Sequence, residues 1–187
     1  YLFGFYILMR SLKQRPLVSA FGAVAWAFSS YFFIIIAAGH IWKVMALAYL
    51  PPLIAGLVWA YRGKLLRGFC VTALFSAFEI DANHVQMTYY YLFVIAAMVI
   101  AYGVDAVRRG QWKDFLRATG VCAAGALIGV LLNLSNLYHT WQYAQESMRG
   151  KSELVKKNAA NQTNSGLDRD YITQWSYGVD ETWTLLV

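Results

Sequence analysis

Between Phe78 and Tyr91 the chain reads FEIDANHVQMTYYY. An apolar run enters this stretch and another leaves it. Between them Glu79, Asp81, Asn83, His84 and Gln86 fall within eight residues, without the Gly, Pro or Ser of an ordinary surface turn. Carboxylates and imidazoles can accept the proton of an attacking hydroxyl, and amides can hold a hydroxyl-rich ligand in place. Two more stretches carry related groups. AAGHIWK sets His40 and Lys43 three residues apart, on one side of a helical turn, where an imidazole and a cation could hold an anion such as phosphate. LLNLSNLYHTW sets Asn133 and Asn136 on one helical face and then His139.

Each group also has a plainer reading. Asp81 can cap the helix that follows it, Glu79 can pair with Lys43 or an arginine, and His84 can bond a neighbouring helix. Lys43 can reach lipid headgroups, and Asn133 and Asn136 can join helices. A helix beginning near Ala82 would put Asn83, Gln86 and Tyr90 on one face and His84, Thr88 and Tyr91 on an adjacent one.

The elements that must position these groups belong in a bilayer. The chain of 187 residues is 59% hydrophobic and 14% charged, with a mean hydropathy of +0.43. Soluble domains run at about 45–50% apolar and about 25% charged. The expected fold is therefore an all-α, polytopic transmembrane bundle. A bilayer crossing takes about 20 apolar residues. Tyr1–Met9 reads as the tail of a truncated first segment, followed by Leu17–Ala38, Val44–Tyr61, a short Leu65–Phe78, Val85–Val104 and Ala118–Leu137. That makes about six membrane segments over 1–138, and 139–187 follows as an extracytoplasmic segment. Pro51-Pro52 should kink Val44–Tyr61 or split it. Gly125 and Gly129 form a GxxxG packing pair. Because both ends of the chain lie in apolar runs, it reads as an internal piece of a longer protein.

Charge gives an orientation. Arg10, Lys13 and Arg15 share one connection, Arg62, Lys64 and Arg67 a second, and Arg108, Arg109, Lys113 and Arg117 a third. Ten of the 16 Lys and Arg thus occupy every other connection, as the positive-inside rule expects of cytoplasmic loops. The net charge of +6 is a topology signal and does not point to nucleic acid. His40, His84 and His139 then fall on the outer side. Leu65–Phe78 would rise only about 21 Å against a hydrocarbon core of about 30 Å, leaving Glu79, Asp81, Asn83 and His84 recessed within the membrane. Ionisable groups survive there when buried in protein or lining a watery cavity. The expectation is a polar pocket open to the outside, built from His40, Lys43, Glu79, Asn83, His84, Gln86, Tyr90 and His139.

Cys70 and Cys122 read as small buried hydrophobes, and the three histidines have no metal-ligand spacing. In the tail, Trp141, Ala144 and Met148 suggest an interfacial helix ending before Gly150, and NAANQTNSG reads as a loop. LDRDYITQWSYG sets Asp168, Arg169 and Asp170 beside Tyr171, Trp175 and Tyr177, which suits the faces and hydroxyls of a sugar.

Three strings, GHIWKVMALAYLPP, ANHVQMTYYYLF and GLDRDYITQWSYGVDETWTLLV, resemble in this order the bacterial YfhO family of polytopic membrane proteins. The resemblance implies a glycosyltransferase-like GT-C architecture in the cytoplasmic (inner) membrane. It implies transfer of a sugar from a polyprenyl-phosphate donor to a cell-envelope polymer on the outer face, with a divalent metal ion as an optional cofactor. It gives roles to His40 and Lys43 of the first string and to His84, Gln86, Tyr89 and Tyr90 of the second. The carboxylate that such enzymes use lies in an outer loop that would precede Tyr1. Two other classes stay open from the residues alone. A transporter or lipid flippase needs a polar path reaching the cytoplasmic side. A non-catalytic assembly protein needs the polar cluster to be fully paired internally.

Overall fold

The computed structural model of the chain describes residues 1–146 together with Gln162, Thr163, Gly166, Leu167, Asp170 and Thr173. It divides into two compact units, Tyr1–Tyr138 and His139–Val187. The described residues are almost entirely helical: α1 Leu2–Ser11, α2 Pro16–Ala27, α3 Ser30–Ala37, α4 Ile41–Tyr61, α5 Leu65–Asp81, α6 Val85–Arg109, α7 Trp112–Leu132 and α8 Leu134–Glu146. In the second unit, two-residue strands β1 (Gln162–Thr163) and β2 (Gly166–Leu167) pair antiparallel. Four helical segments, Pro16–Ala37, Ile41–Tyr61, Val85–Arg109 and Trp112–Leu132, are long and apolar enough to cross a membrane. The first unit is thus a bundle of helices, four of whose segments could span a membrane.

The centre of the first unit is a three-helix stack, with α5 packed against α4 on one side and α7 on the other. Small residues let these backbones close on each other. A Cβ added to Gly68 of α5 would lie 2.8 Å from the Ala60 nitrogen of α4, and one on Gly56 would lie 2.9 Å from the Thr72 nitrogen of α5. On the other side, a Cβ on Gly125 would lie 3.0 Å from the Phe69 carbonyl oxygen, and one on Gly129 would lie 2.8 Å from the Ala77 nitrogen. The GxxxG pair of α7 is thus a packing seam. Asn133 locks its end, donating from Nδ2 to the carbonyls of Ala77 and Gly129, 2.9 Å each. It joins helices, one of the two readings its sequence allowed.

Three boundaries differ from those the sequence suggests. The stretch Leu17–Ala38 is broken at Phe28–Ser29, giving α2 and α3. Trp26 and Phe32 are six residues apart and would point away from each other on an unbroken helix. The break brings their rings to 5.1 Å, in a cluster with Phe5, 5.0 Å from Trp26, and Tyr1, 4.3 Å from Phe32. Pro51-Pro52 does not split α4, which runs unbroken from Ile41 to Tyr61. Both prolines are buried, and Gly4 of α1 lies close enough that a Cβ there would be 3.1 Å from the Ala48 carbonyl oxygen. Neighbouring helices shelter the backbone that the prolines leave unbonded. Finally, α7 stops at Leu132 and α8 restarts at Leu134, so Ala118–Leu137 is not one helix.

The helices alternate in direction, and the basic turns gather at one end of the first unit. There Arg62 donates to the Ser11 carbonyl, and the Tyr61 and Thr119 hydroxyls lie 3.0 Å apart. At the opposite end the Tyr1 hydroxyl donates to the Val44 carbonyl at 2.6 Å. Of the two cysteines, Cys122 is buried as expected, but Cys70 is exposed on α5, on the side turned away from both packing seams.

Candidate functional site

Helix α5 continues past Phe78 to Asp81, three residues beyond the end its sequence suggests. Its 17 residues still rise only about 25 Å against a core of about 30 Å. One face carries Gly68, Thr72, Ser76 and Glu79, all buried. Their spacing of four, four and three keeps them in register along the helix. The small residues of this stripe let the neighbouring backbones approach, and Glu79 ends it with only 2% of its surface exposed.

The turn after α5 explains the missing glycine. Asn83 has φ +49°, a left-handed position that the comparable turns at Gly63 and Gly110 fill with glycine, at φ +79° and +67°. Asparagine tolerates this conformation better than other side chains with a Cβ. Asp81 is the last residue of α5 and is exposed, so it does not cap the next helix. His84 takes that role: its Nδ1 accepts from the Met87 N–H at 3.3 Å. This correction has a geometric reason. The left-handed turn at Asn83 restarts the helix at Val85, and the cap moves with it.

Helix α6 leans on the stack far more sparsely than α4 or α7 does. Between it and α4, α5 and α7 lies a cavity of about 570 Å³. Its long walls are apolar, among them Leu53, Leu57, Leu92, Ile95, Val99 and Ala126. Glu79, Asn83, His84, Thr88 and Tyr91 gather at one end, and Tyr61 and Thr119 at the other. Glu79 Oε1 accepts from the Thr88 hydroxyl at 3.2 Å, and Oε2, also buried, has no hydrogen-bond partner among the described residues. The Tyr91 hydroxyl, on a residue 5% exposed, has none either. Glu79 forms no ion pair among the described residues, with Lys43 or with any arginine. Thr72 Oγ1, on a residue that lines the cavity too, is a third buried atom without a partner among the described residues. Buried polar groups are nearly always bonded, so three orphans lining one cavity need an explanation.

The residues singled out from sequence separate into groups. Glu79, Asn83 and His84 line the cavity. Gln86 and Tyr90 do share a helical face, since Gln86 Nε2 donates to the Tyr90 hydroxyl at 3.0 Å, but that face is exposed and lies off the cavity. The adjacent face, with His84, Thr88 and Tyr91, is the one that lines it. His40 is exposed just before α4. Lys43 is half-buried, with Nζ 5.7 Å from the centre of the Tyr31 ring. Both lie where α4 starts, which is the end of the stack where α5 finishes, and neither lines the cavity. His139 belongs to the second unit. Met148 and most of the NAANQTNSG and LDRDYITQWSYG segments lie outside the described residues; Gln162, Thr163 and Gly166 of the first and Leu167, Asp170 and Thr173 of the second are placed, the first four of these six in the β1–β2 pair. Thr88 and Tyr91 were missed as site residues. Their signal was their spacing of four and seven from His84.

Among the described residues no three His, Cys, Asp or Glu side chains come together as a set that could hold a metal ion. Comparison with family models, with curated proteins and with solved structures finds no match. These comparisons add no support to the resemblance to the YfhO family.

Proposed function

We propose that this chain is part of a membrane glycosyltransferase-like protein of GT-C type, akin to the YfhO family. It would transfer a sugar from a polyprenyl-phosphate donor to a cell-envelope acceptor at the outer face of the bacterial cytoplasmic membrane. One observation carries the reading: an apolar cavity, walled in part by helices long and apolar enough to cross a membrane, ends in a buried carboxyl group with one oxygen unbonded. An apolar cleft beside a loosely held helix suits a lipid-borne substrate entering from the bilayer. The polar groups at its head suit hydroxyl chemistry. The alternation of basic turns supports an outward-facing head, because Arg62 and the other cations of the three basic turns belong to the opposite end.

In this reading an acceptor hydroxyl attacks the anomeric carbon, the bond from that carbon to the phosphate oxygen breaks, and polyprenyl phosphate leaves as an anion. His40 and Lys43, at the same end of the stack, supply positive charge near that leaving group. The resemblance puts the proton-accepting carboxylate upstream of Tyr1, so Glu79 and His84 serve here to bind and orient. Two features weigh against the other classes. A pure assembly protein would pair its polar cluster internally, and Glu79 Oε2 and the Tyr91 hydroxyl are unpaired. A transporter of polar solutes needs a polar path, and apolar side chains such as Leu57, Ile95 and Ala126 separate the two ends of the cavity.

The test uses the full chain in liposomes with a radiolabelled polyprenyl-phosphate sugar. Sugar transfer should fall at least about tenfold in Glu79→Gln and in His84→Ala, with helical content retained. Full activity in both variants removes the site assignment. Movement of the lipid between leaflets with its sugar intact would instead establish the flippase.

A further inference from the structure

We propose that the cavity between α4, α5, α6 and α7 binds a long-chain lipid whose head is an uncharged hydroxyl, held by Glu79 and Tyr91. The inference rests on the glycosyltransferase reading only in naming this lipid as the acceptor and not the phosphate-bearing donor. Three observations lead to it. The cavity contains no lysine or arginine among its lining residues, so nothing there would neutralise a phosphate. A phosphate beside Glu79 would face a like charge in an apolar setting where screening is weak. Lys43, at the same end of the stack, lies with Nζ 5.7 Å from the centre of the Tyr31 ring and does not line the cavity.

The hydrogen-bonding inventory selects among the remaining heads. Glu79 Oε2 is an unbonded acceptor, and the Tyr91 hydroxyl is an unbonded group that can donate. Because His84 Nδ1 accepts the Met87 N–H, its neutral ring carries the proton on Nε2 and is a second donor. A hydroxyl donates once and accepts twice, so it can serve all three. An ammonium head offers donors alone and would leave the His84 Nε2–H without an acceptor. A hydroxyl also suits Glu79 in either protonation state, because it donates to the carboxylate and accepts from the acid. Below this head the walls from Leu92 to Val99 on α6 and from Leu53 to Leu57 on α4 are apolar, as a hydrocarbon chain needs.

The experiment measures saturable binding of tritiated hexadecanol to the purified full chain in detergent, with hexadecyl phosphate and hexadecylamine as competitors. One mole should bind per mole of chain, and each competitor should be at least about tenfold weaker. Glu79→Leu should weaken hexadecanol at least about tenfold, and Ala126→Trp should abolish binding by filling the cavity, both checked for retained helicity. If a variant fails to fold, the competition series on the unaltered chain decides alone. Hexadecyl phosphate or hexadecylamine binding as tightly as the alcohol overturns the proposal, as does the absence of saturable binding. Alcohol binding without sugar transfer would remove the glycosyltransferase reading and leave this one standing. Transfer without alcohol preference would do the reverse.

Discussion

The two faces of α7 differ more than any other neighbouring regions of the molecule. At Gly125 and Gly129 the helix presses on α5 so closely that a single added carbon would meet backbone atoms at 3.0 and 2.8 Å. At Ala123, Ala126 and Val130 the same helix faces an unfilled cavity. Hydrophobicity does not separate these faces. The difference lies in side-chain size on the partner: α5 offers Thr72, Ala73, Ser76 and Ala77, whereas α6 offers Tyr91, Leu92, Ile95 and Val99. In a bilayer, where burying apolar surface gives no net gain, close packing and hydrogen bonds decide which helices adhere. The stack of α4, α5 and α7 is built on such packing, and α6 is attached beside it.

Five substitutions would break or sharpen that contrast. The largest effect is expected from Gly68→Val. Its Cβ would be driven into the Ala60 backbone, so the stack should lose about 3 kcal/mol or more, read as unfolding in a denaturant titration of the detergent-solubilised chain. The sharpest contrast is Gly125→Leu against Ala126→Leu, at adjacent positions. The first should cost about 2–3 kcal/mol, and the second should change stability by less than about 1 kcal/mol because the cavity has room for it. Equal losses at the two sites would show that the two faces are packed alike.

Smaller effects follow at the head of the cavity. Asn133→Ala removes two donations to backbone carbonyls and should cost about 1–2 kcal/mol in the same titration. Glu79→Gln should leave stability unchanged or raise it by about 1 kcal/mol. It replaces a group that can carry charge, and has an unbonded oxygen, with a neutral group of the same shape. A large loss there would mean that Glu79 has an ionic partner, contrary to the structure.

The parts of this architecture that depend on one residue type at one spacing were legible in the sequence. Apolar length located the four crossing segments, and Gly125 with Gly129 announced the α7 seam. Asn133 could be read as joining helices. What escaped was decided by partners far away in the chain. Pro51-Pro52 reads as a kink or a split, and α4 is not split there: both prolines are buried, and Gly4 of α1 packs against that stretch. The break at Phe28–Ser29 has no proline or glycine to announce it and is tied to the pairing of Trp26 with Phe32. At the site, Glu79, Asn83 and His84 stood out as polar residues in an apolar run and do line the cavity. Gln86 and Tyr90 stood out for the same reason and lie on the exposed face, because composition does not say which side of α6 turns inward. Capping was misread at Asp81 because the left-handed turn at Asn83 shifts the helix start by a few residues.

The central claim is that α6 stands off the stack and leaves a chain-sized space headed by an unsatisfied carboxyl group. An experimental structure of the full chain in lipid nanodiscs, with hexadecanol added, tests it most directly. The account predicts an elongated density between α6 and α7 that ends about 3 Å from the Glu79 carboxyl group. A structure with α6 packed flush against α5 and α7, and Glu79 bonded to another side chain of the protein, would contradict it.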